Sequence, residues 1–149
     1  MLRYAQHDMV EMMTKIKICG IKTLKDALAA IDAGADYLGF NFYPKSVRFI
    51  EKSACAEITS ILKRKHPNIK LVGVFVNSSV EEIKDILQTC SLDLAQLHGD
   101  ETPEVFSQLT PHVFRAFRGI PESIAGYERN ESPAMLIDAA VKGVYGGSG

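Results

Sequence analysis

Residues 71–97 read LVGVFVNSSVEEIKDILQTCSLDLAQL, and this stretch decides the fold class. It begins with an apolar run at residues 71–76 in which hydrophobic and polar residues do not alternate, as is typical of a strand buried on both faces. Ser79 then has Glu82 three residues later, a spacing that predicts the start of a helix. A second apolar run follows at residues 92–97. Strand, helix and strand in this order predict a βαβ unit in a parallel sheet.

The same alternation extends along the chain in both directions. Further strands are predicted at residues 16–19, 37–42, 113–117 and 135–138. Further helices are predicted at residues 26–33, 53–65, 102–109 and 122–129. About six βα units fit two architectures, an open doubly wound sheet and a (β/α)8 barrel.

Polar or glycine residues follow each predicted strand, and their positions favour the barrel. They are Cys19 with Gly20, Asn41, Asn77, Gln96 to Gly99, Arg115 and Asp138. A barrel collects all these strand ends on one rim, whereas an open sheet would spread most of them away from its crevice. We therefore expect an α/β fold of the TIM-barrel type with about six βα units, an incomplete barrel that lacks strands 7 and 8.

Composition excludes several classes of function. The chain has 149 residues, with 17 Lys and Arg against 18 Asp and Glu, and this balance argues against an electrostatic nucleic-acid binder. Its apolar runs are far shorter than a membrane span, and charged residues interrupt the first 13 residues where a signal peptide would be apolar. Three cysteines without a CxxC pair indicate neither a disulfide framework nor a metal site. A reducing cytoplasm is the expected location.

Two residues at strand ends are candidates for acid–base chemistry. Cys19 is either a small buried hydrophobic residue or a thiolate that acts as base or nucleophile. Asp138 either caps a turn or provides a carboxyl group at the rim. If both face one substrate, they form the couple that proton transfer needs.

Three further positions are candidates for binding. Arg48 is either a solvated charge or a fork for a carboxylate or phosphate. His98 is either a structural histidine or a base or donor to substrate. The glycine-rich residues 146–149 either form a flexible end or bind a phosphate through backbone N–H groups.

Taken in order, the motifs of this chain closely resemble those of the phosphoribosylanthranilate isomerases. They are KICGI at 17–21, GAD at 34–36 with Gly39 and Phe40, KSVR at 45–48, VGVFVN at 72–77, QLHGDE at 96–101, and Asp138 followed by YGGSG at 145–149. The resemblance runs from about residue 14 to residue 149.

This resemblance implies a (β/α)8 barrel that isomerises N-(5-phosphoribosyl)anthranilate in tryptophan biosynthesis, an Amadori rearrangement without cofactor or metal. It implies that Asp138 is the general acid and Cys19 the general base. It also implies that Arg48 contacts the anthranilate part of the substrate, with His98 and Gly147 as further substrate-binding residues. We expect a small phosphosugar as the ligand, no nucleic-acid or membrane partner, and a monomer or homodimer when the barrel is complete.

The domain boundaries follow from the motifs. Residues 1–13 have no counterpart in the motif set and are expected to be a disordered extension or a misassigned start, while residues 14–149 are the N-terminal part of the isomerase domain. Without strands 7 and 8 we expect low or no activity and a tendency to aggregate. The alternatives are an inactive truncated remnant, a partner-binding fragment, or another barrel enzyme acting on a phosphorylated small molecule.

Overall fold

Six parallel strands form a single curled sheet in the computed structural model, which describes residues 14–139. The strands are β1 (Lys17–Cys19), β2 (Tyr37–Asn41), β3 (Lys70–Phe75), β4 (Leu94–Leu97), β5 (Val113–Arg118) and β6 (Met135–Asp138). The helices are α1 (Leu24–Asp32), α2 (Lys52–Lys65), α3 (Val80–Thr89) and α4 (Pro103–Leu109). One helix follows each of the first four strands.

The strand order decides between the two predicted architectures. Each strand pairs in parallel with its neighbours in sequence, so the order is β1-β2-β3-β4-β5-β6 without a reversal. A doubly wound sheet has a point where the order reverses, and this sheet has none. The architecture is therefore an α/β half-barrel, which confirms the α/β fold and the barrel-type topology.

Both faces of the sheet are buried, as the uninterrupted apolar runs predict. On the concave inner face, Val72, Leu94 and Phe114 form a small cluster with Tyr37 and Leu136. On the outer face, a larger core fills the space between the sheet and the helices, and Leu38, Leu71 and Phe75 lie at its centre, fully buried. Alternating side chains of one strand therefore enter two different cores, which explains why most positions of the central strands are apolar.

Two helix starts show how local chemistry sets the boundaries. The backbone N–H of Glu82 donates to Ser79 Oγ at 3.1 Å, which confirms the predicted cap of α3. Thr23 caps α1 in the same way, since its Oγ1 accepts from Asp26 N at 3.1 Å. Because of this cap, α1 begins at Leu24, two residues before the predicted start.

The helix predicted at residues 122–129 is wrong. This segment, between β5 and β6, forms turns, and Gly126 has a φ of +82° that no residue of an α-helix adopts. Side chains also compete for its backbone N–H groups: Ser123 Oγ accepts from Ala125 N, and a Glu128 carboxylate oxygen accepts from Gly126 N. Tyr127 anchors the segment by packing edge-on against Phe106.

The outer faces of the two edge strands are partly uncovered in the part of the chain that is described. Ile18 on β1 is 41% exposed and Ile137 on β6 is 49% exposed, whereas outer-face residues of the central strands are buried. No helix within residues 14–139 is long and apolar enough to cross a membrane. The predicted extension over residues 1–13 lies outside the described residues.

Candidate active site

The carboxyl ends of the six strands lie along one rim of the curled sheet, where enzymes of barrel architecture carry their active sites. Cys19 is the last residue of β1 and Asp138 is the last residue of β6. His98 directly follows β4 and reaches across the concave face to Asp138. The rim therefore gathers three of the predicted site residues from three strands that are far apart in sequence.

Cys19 lies over a glycine of the neighbouring strand. It pairs in register with Gly39, and a Cβ atom at residue 39 would lie 2.7 Å from Cys19 Sγ. The same Cβ would lie 3.0 Å from Nζ of Lys17, two residues earlier on the same face of β1. Gly39 therefore leaves the space in which an exposed thiol and an ammonium group lie close together.

Arg48 reaches the same corner of the rim from the loop after β2. Its side chain lies across Gly20, the residue after Cys19, where a Cβ would be 2.3 Å from Arg48 Cδ. Gly20 has a φ of +88°, which also favours glycine. Ser46 Oγ holds the loop, because it accepts from the backbone N–H of Arg48 and from the Asn41 side chain, each at 3.1 Å. Arg48 therefore lies beside the end of β1, next to Cys19.

A buried chain of three polar side chains links β4 to β6. Gln96 Nε2 lies 3.0 Å from His98 Nδ1, and His98 Nε2 lies 3.0 Å from Asp138 Oδ2. The other Asp138 oxygen, Oδ1, accepts from the backbone N–H of Ala139 at 2.8 Å. The histidine side chain is 5% exposed and the aspartate side chain 22%, so Asp138 alone of this pair has appreciable contact with the open face.

The surroundings of His98 favour a neutral imidazole. Burial lowers the pKa of His98 below its ordinary value of 6.5, and the positive charges of Lys17 and Arg115 lower it further. The negative charge and the hydrogen bond of Asp138 act in the opposite direction without reversing the shift.

Arg115, predicted at the rim, faces the other way. It lies in the middle of β5 because the strand continues to Arg118, and alternation turns its side chain to the outer face. There it forms a buried ion pair with Glu101 and donates to the carbonyl oxygen of Gly99 at 2.7 Å. Glu101 in turn accepts from the backbone N–H groups of Asn77 and Gly99, so the pair holds the loops after β3 and β4 together.

Sequence reasoning missed one contact and one residue of the rim. Gln96 was named among the polar residues at the strand ends, but its contact with His98 was not predicted, although i, i+2 alternation along β4 is a usable signal for it. Arg118 lies opposite Asp138 in the register of β5 and β6 and pairs with Asp100. Alternation along β5 from Phe114 onwards would have predicted that Arg118 faces the rim. The predicted strand ended at residue 117 and so left Arg118 out.

The remaining predicted positions lie apart from this constellation. Cys55 and Cys90 are both fully buried between α2 and α3, which agrees with a core role. Burial raises the pKa of both thiols. Gly147, predicted to bind phosphate, lies outside the described residues.

A cavity of about 640 Å³ opens at the opposite, amino-terminal end of the strands, lined by Lys70, Leu94 and Arg129 among others. The Arg129 guanidinium is already bonded to the carbonyl oxygens of Pro111 and Val113. In barrel enzymes this end of the strands usually contributes to stability, and the chemistry takes place at the carboxyl ends. We therefore place the candidate site at the rim that carries Cys19 and Asp138.

Comparisons with known proteins show what this chain is similar to. A sequence profile of the family described as N-(5'phosphoribosyl)anthranilate (PRA) isomerase matches residues 16–149. The N-(5'-phosphoribosyl)anthranilate isomerase of Geobacter sp. (strain M21) is 44% identical over 138 residues, which are 92% of this chain and 66% of that protein. The chain thus spans just under two thirds of the length of this relative.

Two solved structures show the same likeness in three dimensions. Phosphoribosyl anthranilate isomerase from Thermus thermophilus has 36% identity and a TM-score of 0.75, covering 87% of this chain and 64% of that one. A second isomerase structure, in complex with reduced 1-(o-carboxyphenylamino)-1-deoxyribulose 5-phosphate, has 39% identity and a TM-score of 0.67. That match covers 73% of this chain and 55% of the other.

Proposed function

The chain belongs to the phosphoribosylanthranilate isomerase family, and we propose that it catalyses the Amadori rearrangement of N-(5-phosphoribosyl)anthranilate to 1-(2-carboxyphenylamino)-1-deoxyribulose 5-phosphate in tryptophan biosynthesis. One observation carries the proposal. An exposed thiol, Cys19, and a hydrogen-bonded carboxyl group, Asp138, end two strands on the same rim of one curled sheet. The rearrangement exchanges an aldose for a ketose within one molecule, so it needs a general acid and a general base.

Asp138 supplies the acid in this proposal. Its proton goes to the furanose ring oxygen, the bond between that oxygen and C1 breaks, and the anthranilate nitrogen lone pair forms a protonated Schiff base with C1. The hydrogen bond from His98 orients the carboxyl group, and the low exposure of both side chains limits competition from water.

Cys19 supplies the base. The Schiff-base cation makes the proton on C2 acidic, and the thiolate removes it, so that the electrons of the C2–H bond form the C1–C2 double bond of an enolamine. The enolamine then becomes the ketone by gaining a proton at C1 and losing one from the C2 hydroxyl. The glycine at residue 39 supports this role, because it leaves Sγ room on the open face of β1.

Arg48 is the proposed contact to the anthranilate carboxylate. An arginine fork binds a carboxylate through two parallel hydrogen bonds, and the Arg48 side chain already lies against Gly20, next to Cys19. The phosphate contact of Gly147, the cytoplasmic location and the choice between monomer and homodimer stay predictions.

The alternative is an inactive remnant or a partner-binding fragment of the barrel. The partly exposed outer faces of Ile18 and Ile137 favour it, since exposed apolar strand edges promote association. Low turnover and aggregation of the 149-residue chain likewise remain predictions.

A turnover assay combined with ligand binding separates the two candidates. The 149-residue chain is mixed with freshly generated substrate, and binding of the reduced product analogue is measured by calorimetry. We expect turnover that falls by about 10²–10⁴-fold in Asp138→Asn, the usual contribution of a general acid. The control is Asp85→Asn, which changes an exposed carboxylate on α3. A chain that neither turns over substrate nor binds the analogue contradicts the proposed function and supports the alternative.

A further inference from the structure

The side-chain amide of Gln96 is buried, and its nitrogen and its oxygen differ in hydrogen bonding. The residue is 2% exposed, and its Nε2 lies 3.0 Å from His98 Nδ1. Its carbonyl oxygen, Oε1, is buried without a hydrogen-bond partner among the described residues. An amide NH₂ group can only donate, so His98 Nδ1 must accept and cannot carry a proton in this arrangement. The single proton of the neutral ring is then on Nε2.

The position of that proton has a consequence for Asp138. With Nε2 protonated, His98 donates to Asp138 Oδ2 at 3.0 Å. A proton on Asp138 then cannot lie on the line between Oδ2 and Nε2, so it is directed away from His98. Oδ1 accepts from the backbone N–H of Ala139, so each carboxyl oxygen accepts one N–H.

We propose that Gln96 is a positioning residue that fixes His98 as the Nε2-protonated tautomer, so that His98 donates to Asp138 and the acidic proton of Asp138 is directed away from the ring. This role rests on the proposed function, because it acts through the general acid. It goes beyond that function in naming the residue that keeps the proton of the acid off the histidine. The sheet supports the arrangement, since Gln96 and His98 lie on one face of β4 and its extension.

The charged groups around His98 are consistent with a neutral ring. Lys17 faces it from β1, Arg115 acts on it from β5, and Asp138 faces it from β6. The two cations and the buried position oppose a second proton on the ring. A neutral histidine has two tautomers, and the donor or acceptor at Nδ1 decides between them.

The opposite orientation of the Gln96 amide makes a different prediction. If Oε1 faced the ring, it would accept from Nδ1–H, and Nε2 would become an acceptor. Asp138 would then donate its proton from Oδ2 to the histidine, away from the substrate. The two orientations differ in whether the acidic proton of Asp138 is donated to His98, so the tautomer of His98 decides between them.

Nitrogen-15 NMR of the labelled 149-residue chain identifies the tautomer of His98, and this measurement does not depend on catalytic activity. The His98 signals are assigned by their loss in His98→Asn, and we expect a neutral ring protonated on Nε2. In Gln96→Glu the new carboxylate accepts instead of donating, so we expect a proton on Nδ1 as well. Gln88→Glu on the exposed face of α3 makes the same chemical change and should leave the His98 signals unchanged. A wild-type ring protonated on Nδ1, or a Gln96→Glu ring that keeps the wild-type tautomer, overturns the proposal.

Kinetics test the consequence for the acid. In Gln96→Met, which removes the donor and keeps the volume apolar, we expect kcat to fall by about 10–100-fold with KM nearly unchanged. We also expect the pH profile of kcat to shift in Gln96→Glu and not in Gln88→Glu. A Gln96→Met enzyme with wild-type kcat and pH profile would contradict the role of Gln96. If the chain shows the expected His98 tautomer but no turnover, this result would support the effect of Gln96 on the tautomer and count against the proposed function.

Discussion

Gly39 lies directly opposite Cys19 in the register of β1 and β2, and a Cβ atom at residue 39 would come within 2.7 Å of Cys19 Sγ. No pair of unbonded atoms of this kind approaches so closely in a relaxed structure. The absence of a side chain at Gly39 on β2 therefore leaves the space that the Cys19 thiol of β1 occupies. The KICG motif and the glycine of the following strand act together as one unit of the rim.

Gly39→Ala should displace the thiol. The new methyl group would also lie 3.2 Å from Cys19 Cα, so a change of the Cys19 rotamer alone does not relieve the contact. We expect kcat to fall by about 10²-fold, the scale of a misplacement near 1 Å, with about 1–3 kcal/mol lost from the free energy of unfolding. Steady-state kinetics and urea denaturation measure the two effects.

Gly34→Ala is the matched control for Gly39→Ala. Gly34 has a φ of +96° at the end of α1, but a Cβ there would meet no atom within 4 Å. Its substitution should cost stability through backbone strain and leave kcat unchanged. Equal losses of kcat in the two variants would show that the effect of Gly39→Ala is general strain.

The three thiols should react at very different rates. Cys19 is exposed, whereas Cys55 and Cys90 are buried and their pKa values are raised by that burial, so both stay neutral at pH 8. We expect iodoacetamide to modify the native chain at Cys19 alone, and Cys19→Ala to abolish the reaction. Peptide mass spectrometry after brief labelling measures this. Comparable labelling of Cys55 or Cys90 in the folded chain would contradict the packing of α2 against α3.

The buried ion pair of Arg115 and Glu101 should affect the free energy of unfolding mainly because removing one partner leaves the other charge buried and unpaired. Arg115→Met leaves the Glu101 carboxylate, whose side chain is 2% exposed, without its cation. We expect a loss of about 3–5 kcal/mol in the free energy of unfolding, and recovery of much of it in Arg115→Met with Glu101→Leu. Urea denaturation measures both.

An exposed pair gives the comparison for that prediction. Lys52 and Asp85 lie 2.7 Å apart on the surface of α2 and α3, each about half exposed. Lys52→Met should change stability little, because solvent screens such pairs. A double variant at Arg115 and Glu101 that is no more stable than Arg115→Met would refute the stated cause.

His98 should make the fold sensitive to acid. Because its pKa is lowered below 6.5 in the native state, the unfolded chain binds more protons between the native value and 6.5, and the native state loses stability as the pH falls through that range. We expect the drop in unfolding free energy between about pH 7.5 and pH 5.5 to be smaller in His98→Asn than in the wild type. The exposed His112, changed to Asn, should leave the drop unchanged. An identical pH dependence in all three proteins would contradict the shift.

The sequence was informative wherever one signal acted alone. Uninterrupted apolar runs placed all six strands, and Ser79 with Glu82 placed the start of α3. It failed where signals competed. At residues 122–129 helical spacing competed with Gly126 and with side chains that bond the backbone, and the local bonds prevailed.

The candidate site was predictable to the level of strand ends and no further. Cys19 and Asp138 end their strands and His98 follows one, so the barrel topology alone places all three on one rim. Arg115 was misplaced because it is the third residue of β5, inside the strand, and alternation turns its side chain away from the face on which Phe114 lies. The contact between His98 and Asp138 depends on the curl of the sheet and on side-chain rotamers, and neither is written in residue spacing.

The measurement that tests the central claim is turnover of substrate deuterated at C2. Turnover is monitored as the loss of anthranilate-type fluorescence, in the wild type, Cys19→Ala and Asp138→Asn. We predict slower turnover of the deuterated than of the ordinary substrate by the wild type, because the thiol of Cys19 removes the C2 proton. We also predict that each variant loses about 10²–10⁴-fold of the wild-type rate while keeping its fold by circular dichroism. Wild-type rates in a folded Cys19→Ala chain would contradict the assignment of Cys19 as the base.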